Sequence, residues 1–231
     1  MDNNESLNIV ENDKLNISVP QENLNKFLKL NVENHTTKIV NFLGHISHGI
    51  FTNEISLLFE YADCNLQYYF DEKNLHTFKH DNIEYKNFLK NCQTFFDNVL
   101  DFLNDNNYVY GDWKLENILV FYSQTSSNNI NTKLKLTDFG SLMKMNEKIT
   151  NLKNLNIMYS SPMLSNLHDE ITPSHFDDIK SVCWLFWTLN GKKLPWESLN
   201  LNYKKDVELE KILIEIDIMK LNLFNNYFFN V

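Results

Sequence analysis

The stretch Tyr110-Gly111-Asp112-Trp113-Lys114-Leu115-Glu116-Asn117 decides how the rest of this 231-residue chain is interpreted. It sets an acid, a lysine and an amide in the order Asp-x-Lys-x-x-Asn. A second motif, Asp138-Phe139-Gly140, begins 26 residues after Asp112. Alone, the first pattern is most often a solvated turn, and the second occurs by chance. Their order, their spacing and the elements around them give the pair its meaning.

The segment before the first motif predicts a long helix. From Glu84 to Asn107 the apolar residues recur at steps of three and four, which indicates a helix buried along one face. After it, Val109 and Ile118–Phe121 are predicted strands, 123–131 is a predicted polar loop, and Lys133–Thr137 is a predicted strand. Each motif therefore lies beside short strands.

Smaller elements are predicted on both sides. Upstream, the sequence favours a hairpin over 7–19, a short helix over 21–32, and strands over Ile39–Ile46 and Ile55–Tyr61, joined by a turn at 49–53. Downstream, it favours a helix over Asp178–Leu189 and an amphipathic helix over Lys204–Leu221. In the first of these helices, the residues expected to face inward are Ile179, Val182, Cys183 and Phe186. The chain is predicted to be α+β.

The two motifs together resemble the catalytic loop and the metal-binding loop of the protein-kinase family. The resemblance implies a kinase-like fold with a mostly helical C-lobe, and ATP and Mg²⁺ as cofactors. It implies that Asp112 is the catalytic base, that Lys114 neutralises the transferring phosphate, and that Asn117 and Asp138 hold Mg²⁺. A lysine two positions after the base is the serine/threonine-type arrangement.

Other segments extend the resemblance. The run 57–62, Leu-Leu-Phe-Glu-Tyr-Ala, is similar to the strand and hinge on which adenine docks, with Phe59 as gatekeeper and Glu60 and Ala62 in the hinge. Tyr159-Ser160-Ser161-Pro162 resembles the end of the substrate platform, and the whole set is most similar to the casein kinase 1 and vaccinia-related kinase branch. Asp178 then either accepts hydrogen bonds from the catalytic loop or acts as an ordinary helix N-cap. For Trp196 we expect a packing role.

Several family features are not found. No glycine-rich strand pair or strand lysine precedes the predicted helix of 21–32, and Lys14 is too close to that helix to be the strand lysine. Within the helix, Lys26 stands near the place of the family's helix glutamate, with Glu22 one turn earlier. Gly111 replaces an arginine, so we expect no activation through a phosphorylated loop. Met163 replaces a glutamate whose usual partner is arginine, and the chain contains no arginine. We therefore predict a reduced N-lobe over 1–60 and a C-lobe over 61–231.

Composition narrows the classes of ligand and compartment. The net charge is -9 and there is no basic stretch, which argues against nucleic acid or an anionic membrane as a partner. Three isolated cysteines fit buried thiols in a reducing compartment. The polar, acidic start and the lack of a long apolar run favour a cytoplasmic or nuclear location, in a host cell if the source is viral. The Asn- and Lys-rich composition fits an A/T-rich source.

Two functions from different classes follow. The first is a minimal, slow serine/threonine kinase acting on a protein substrate, supported by the set Asp112, Lys114, Asn117 and Asp138. The second is a shortened kinase mimic that binds and regulates a partner kinase or its substrate, as in similar proteins of large DNA viruses of insects. A third reading is nucleotide binding that only stabilises the fold.

Overall fold

The computed structural model describes residues 38–47, 55–73, 75, 82–124, 130–149, 158–161, 170–197 and 215–220. The predicted hairpin of 7–19, the predicted helix of 21–32, and Lys14, Glu22, Lys26 and Met163 lie outside these residues. The strands are β1 (Phe42–Ser47), β2 (Ile55–Phe59), β3 (Cys64–Asn65), β4 (Tyr108–Val109), β5 (Ile118–Gln124), β6 (Ile130–Leu136) and β7 (Met143–Lys144). The helices are α1 (Leu66–Glu72), α2 (Ile83–Asp105) and α3 (His175–Leu189). Residues 215–220 are also helical, within the predicted helix of 204–221.

Helix α2 forms the floor of the main core. The Asn82 side chain caps it by accepting from the backbone N–H groups of Glu84 at 2.8 Å and Tyr85 at 3.2 Å. Its apolar face is buried, as the periodicity predicts. The members of that face are Tyr85, Cys92, Phe95, Phe96, Val99, Leu100 and Leu103. The predicted helix is thus confirmed to within two residues at each end.

Helix α3 is buried on more than one side. It packs against α2 in the main core, while Trp184 contacts Trp196 in a second cluster with ring centroids 5.3 Å apart. The predicted inward face was therefore only partly right: Val182 is buried, but Cys183 is half-buried and Trp184 and Leu185 are fully buried. Trp196 is completely buried and has the expected packing position.

A capping box starts α3 earlier than predicted. Ser174 is the N-cap, and the Asp177 carboxylate accepts from the Ser174 backbone N–H at 2.9 Å. The interpretation of Asp178 as an N-cap is wrong, because Asp178 lies inside the first turn. Its carboxylate is free to reach another segment of the chain.

The three-stranded antiparallel sheet has the order β3-β5-β6 and lies beside the main core. Strand β5 pairs with β6 from Ile118 opposite Leu136 to Gln124 opposite Ile130. Both strands are longer than predicted, so the ends of the predicted polar loop at 123–131 belong to the sheet. The last residue of β6 stands two positions before Asp138.

Strands β1 and β2 form a separate antiparallel pair. Its register shifts between Phe42 and Gly44, and Gly44 has φ +146°, a conformation that side chains rarely adopt. The predicted strand Ile39–Ile46 requires residues 39–41 to be part of β1, but β1 begins at Phe42. Residues 38–41 run along Leu136 instead: the Val40 N–H donates to the Leu136 carbonyl at 2.9 Å, and the Leu136 N–H donates to the Lys38 carbonyl at 2.8 Å.

Three of the labelled elements were not predicted: strand β3, helix α1 and strand β7. Helix α1 buries Leu66 and Phe70 and is capped by Asn65, whose side chain accepts from the Tyr68 N–H at 2.8 Å. Strand β7 pairs with β4. In the described part of the chain, no helix combines the length and apolarity needed to cross a membrane. The three cysteines are free thiols; Cys92 is buried as expected, whereas Cys64 and Cys183 are half-buried.

Candidate active site

The catalytic-loop turn is held from below by Asp178. One carboxylate oxygen accepts from the Tyr110 N–H at 2.7 Å, and the other accepts from the Gly111 N–H at 3.0 Å and from Trp113 Nε1 at 2.7 Å. Gly111 has φ 77°, where the absence of a side chain avoids strain. This is the contact that the family resemblance implied for Asp178. It fixes the backbone on both sides of Asp112.

Asp178 is completely buried. Burial raises the pKa of Asp178 to about 7, although the three donated hydrogen bonds oppose that shift. Three hydrogen bonds hold this buried carboxyl group in one position. The turn is consequently pre-organised by the fold before any ligand arrives.

The Asp112 carboxyl group has one occupied and one unoccupied oxygen. Its Oδ2 accepts from Lys114 Nζ at 2.7 Å and from Asn117 Nδ2 at 2.8 Å. Its Oδ1 is buried and has no hydrogen-bond partner in the described part of the chain. Burial raises the pKa of Asp112. The hydrogen bonds from Lys114 and Asn117 and the charge of Lys114 oppose this shift, whereas the charge of Asp138 adds to it. Such an oxygen can accept a proton from a group that enters the site.

Asn117 lies at the centre of a small polar network. Its Nδ2 contacts Asp112 Oδ2, the Asp112 carbonyl at 3.0 Å and the Tyr110 hydroxyl at 2.9 Å. The Tyr110 hydroxyl donates to the Thr137 carbonyl at 2.6 Å. The pKa of Tyr110 is raised well above its ordinary value, chiefly by burial, so the phenol keeps its proton at neutral pH. The network joins the first motif to the residue just before the second.

Asp138 lies at the solvent side of the network. It has φ 56° and ψ 77°, a left-handed conformation, and its side chain accepts from the Gly140 N–H at 3.3 Å. Phe139 turns inward, with its ring centroid 5.7 Å from that of Tyr110. Asp138 is close enough to Asp112 for its charge to raise the pKa of Asp112. The exposed Asp138 carboxylate offers oxygen ligands, and the preceding residue is bonded to the other motif, since the Thr137 N–H donates to the Asn117 carbonyl at 3.0 Å.

The amide oxygen of Asn117 and the carboxylate oxygens of Asp138 are of the kind that coordinates Mg²⁺. Among the described residues, no group of three or more His, Cys, Asp or Glu side chains could hold a metal ion. Mg²⁺ is usually held by one or two carboxylates together with substrate phosphates and water, rather than by a complete protein cage. Asn117 and Asp138 fit that requirement: one amide and one carboxylate would hold the ion, and nucleotide phosphates and water would supply the other ligands.

The predicted hinge is tied to the sheet by an ion pair. Glu60 accepts from the Asn41 N–H at 2.6 Å and from Asn41 Nδ2 at 3.1 Å, and it pairs with the buried Lys135 of β6. Phe59, the predicted gatekeeper, contacts Phe42 edge to face and stays partly exposed. Within the described residues, the Glu60 carbonyl and the Ala62 N–H make no hydrogen bond. The hinge backbone therefore presents one acceptor and one donor.

The end of the predicted substrate platform is anchored to α3 and to residues 215–220. Ser161 Oγ donates to Asp177 Oδ1 at 2.6 Å, and Lys220 Nζ donates to the Ser160 carbonyl at 2.8 Å. Lys220 is fully buried with its Nζ 5.5 Å from the centre of the Trp196 ring, and burial lowers the pKa of Lys220 to about 8. The chain lacks arginine, but a lysine brings a cation to this region, which the sequence interpretation missed.

Three groups in and around the site were thus not predicted: the Tyr110 hydroxyl, Lys135 and Lys220. Lys135 stands between Leu134 and Leu136, so strand alternation predicts it on the opposite, polar face of β6, and its burial had no signal in the sequence. Lys220 follows the buried Ile216 by four positions on one helix. Only the helical spacing of Lys220 was an available signal.

The chain is similar to known proteins in part of its sequence and in its fold. No protein-family model matches the chain. Over 116 aligned residues, the chain is 26% identical to the Caenorhabditis elegans protein named "Putative serine/threonine-protein kinase C01C4.3". The aligned region covers 50% of this chain and 27% of that protein. The chain also superposes on a chain of the crystal structure of the yeast RNA Pol II CTD kinase CTDK-1 complex, with a TM-score of 0.57 and 21% identity, over 80% of this chain and 55% of that one.

The fold is therefore a protein-kinase-like α+β fold. The chain spans about a quarter of the curated relative and about half of the solved structure that it matches. The sequence match is to a protein named as a putative serine/threonine-protein kinase, and the structural match shows the fold.

Proposed function

We propose that the chain is a serine/threonine protein kinase of reduced size, with residues 1–60 as a small first lobe and 61–231 as the larger lobe. It would use ATP and Mg²⁺ and phosphorylate a protein hydroxyl. The observation that carries the proposal is the Asp112 carboxyl group, whose Oδ2 is held by Lys114 and Asn117 while its buried Oδ1 has no partner in the described residues.

The reaction follows from that arrangement. The substrate hydroxyl oxygen attacks the γ-phosphorus, the bond to the bridging oxygen breaks, and ADP leaves. Asp112 Oδ1 accepts the hydroxyl proton, and Lys114 offers its positive charge to the transferring group. Asn117 and Asp138 would hold Mg²⁺, which when bound would neutralise charge on the phosphates. The hinge donor and acceptor at Ala62 and Glu60 suit the edge of adenine.

The test is transfer from labelled ATP with Mg²⁺ to basic protein substrates. We expect transfer by the wild type and its loss in Asp112→Asn and in Asp138→Asn. Asp105→Asn makes the same chemical change at an exposed residue at the end of α2 and is expected to behave as the wild type. Equal counts in the wild type and both site variants would refute the proposal.

A second candidate is a kinase-like regulator that binds a partner kinase or its substrate without transferring phosphate. It is favoured by one feature of the sequence, because no glycine precedes Gly44 and a glycine-rich phosphate loop is thus missing from residues 1–43. Its signature is stable complex formation with a kinase in a protein that transfers no phosphate. Transfer that depends on Asp112 would exclude it as the main function.

A further inference from the structure

The hydroxyl of Tyr110 lies between the two loops of the candidate site. It is fully buried, 2.6 Å from the Thr137 carbonyl and 2.9 Å from Asn117 Nδ2. Thr137 immediately precedes Asp138, and Asn117 is the other predicted metal ligand. One hydroxyl group thus contacts the segments that carry both ligands.

The direction of these hydrogen bonds is fixed by chemistry. A phenol has a single hydrogen to donate, and the Thr137 carbonyl can only accept it. The Tyr110 oxygen must therefore accept from Asn117, which requires the NH₂ end of the amide to face it. The Asp112 carbonyl and Asp112 Oδ2 also accept from Asn117 Nδ2. With the nitrogen so placed, Asn117 Oδ1 is directed away from all three acceptors and is left to serve as a ligand.

The same hydroxyl restrains the backbone in front of Asp138. Asp138 has φ 56°, a conformation that is strained for a residue other than glycine and persists only when neighbouring contacts impose it. The hydrogen bond to Thr137 is one such contact. The Tyr110 ring packs separately, with centroids 5.3 Å from Trp113 and 5.7 Å from Phe139. Removing the hydroxyl alone would leave this packing in place.

We propose that the Tyr110 hydroxyl is a positioning group that sets the Asn117 amide and the backbone before Asp138 for binding a divalent cation together with a nucleotide. The inference rests on the proposed function, and it assigns to Tyr110 a role beyond core packing. Tyr110 touches neither the nucleotide nor the reacting atoms in this proposal. It acts through Asn117 and Asp138.

Tyr110→Phe is the test, and Tyr85→Phe is its matched control. Tyr85 is also buried and donates its hydroxyl to a backbone carbonyl, that of Leu189, but it joins α2 to α3. Both variants lose one buried hydroxyl and keep the ring. The first readout is the affinity for ADP measured by calorimetry, with Mn²⁺ and with EDTA, and with free and bound Mn²⁺ distinguished by electron paramagnetic resonance.

We expect Tyr110→Phe to weaken Mn²⁺-dependent ADP binding about tenfold, the size of one hydrogen bond, and to leave metal-free ADP binding unchanged. Tyr85→Phe should leave both affinities unchanged. Wild-type Mn²⁺-dependent affinity in Tyr110→Phe, or an equal loss in both variants, would overturn the proposal.

A second readout separates this inference from the proposed function. The side-chain amide of Asn117 is observed by ¹⁵N-edited NMR in the ligand-free protein, where we expect two distinct, slowly exchanging proton signals. Tyr110→Phe should merge or broaden them, and Tyr85→Phe should not. If the wild type binds no metal-nucleotide, the proposed function fails; unchanged Asn117 signals in Tyr110→Phe would refute the positioning role.

Discussion

Replacing Lys220 with methionine tests how the end of the predicted substrate platform is anchored. Lys220 is fully buried, donates to the Ser160 carbonyl at 2.8 Å and lies over the Trp196 ring. Methionine keeps most of the length and volume of the side chain and removes the charge. The change therefore isolates the ionisation of one buried amine.

The magnitude follows from the pKa of Lys220, which burial lowers from 10.5 to about 8 while Asp217 opposes the shift. Between those two values the unfolded chain holds a proton that the folded chain has released. Rising pH therefore favours the folded state, by up to about 3 kcal/mol over the whole interval. The contribution is absent below about pH 8, because Lys220 is protonated in both states there.

The assay is urea unfolding at about pH 7, 8.5 and 10 for the wild type, Lys220→Met and Lys192→Met. Lys192 is an exposed lysine over the Trp187 ring, with its Nζ 4.4 Å from the ring centre, and it serves as the matched control. The free energy of unfolding of the wild type should rise relative to that of Lys220→Met as pH rises. It should stay level relative to that of Lys192→Met.

The reasoning fails if the difference between wild type and Lys220→Met stays flat or falls from about pH 7 to pH 10. That outcome would show that Lys220 keeps an ordinary pKa and hence an open path to water. Titrating tyrosines and other lysines affect all three proteins alike, so they cancel in the difference.

Three further outcomes are expected. Because burial raises the pKa of Asp112 and only its ionised form accepts a proton, the rate of phosphate transfer should be low in acid and rise with pH; a rate that does not change with pH would argue against Asp112 as the base. Lys135→Met leaves Glu60 without its buried partner and should lower the free energy of unfolding, measured in urea, by about 3 kcal/mol. Changing both Lys135 and Glu60 to methionine should recover part of that loss. Trp113→Phe removes the indole donor to Asp178 and should cost about 2 kcal/mol in thermal unfolding; wild-type stability would contradict that contact.

The parts of the fold that the sequence predicted are those with long or redundant signals. Helix α2 carries seven buried apolar residues in one periodic face, so its bounds were predicted closely. Helix α1 has only seven residues and buries two of them, too few for a periodic pattern to emerge. The start of α3 was misplaced because Asp178 was available as a capping residue, while the actual cap required the reciprocal contact between Ser174 and Asp177.

The candidate site shows the same division. Asp112, Lys114, Asn117 and Asp138 were selected by their order along the chain, and the structure brings the first three into direct contact. Lys135 and Lys220 could not be selected in this way. Lysine is almost always exposed unless paired, and the partners of these two lie 75 and 60 residues away in sequence. Only the tertiary structure reveals those pairs.

The paired strands β1 and β2 have a mechanical consequence. Within the described residues, two segments link this pair to the larger sheet: residues 38–41, bonded to Leu136, and residues 60–63, bonded through Glu60 to Lys135 and through the Asp63 N–H to Val120. A rigid body attached at two points keeps one easy motion, rotation about the line that joins them. Both attachments lie on β5 and β6, and the first of them, at Leu136, is two residues before Asp138. Rotation of β1 and β2 about that line would therefore displace the far ends of these strands most, while leaving Asp138, near one attachment, nearly still.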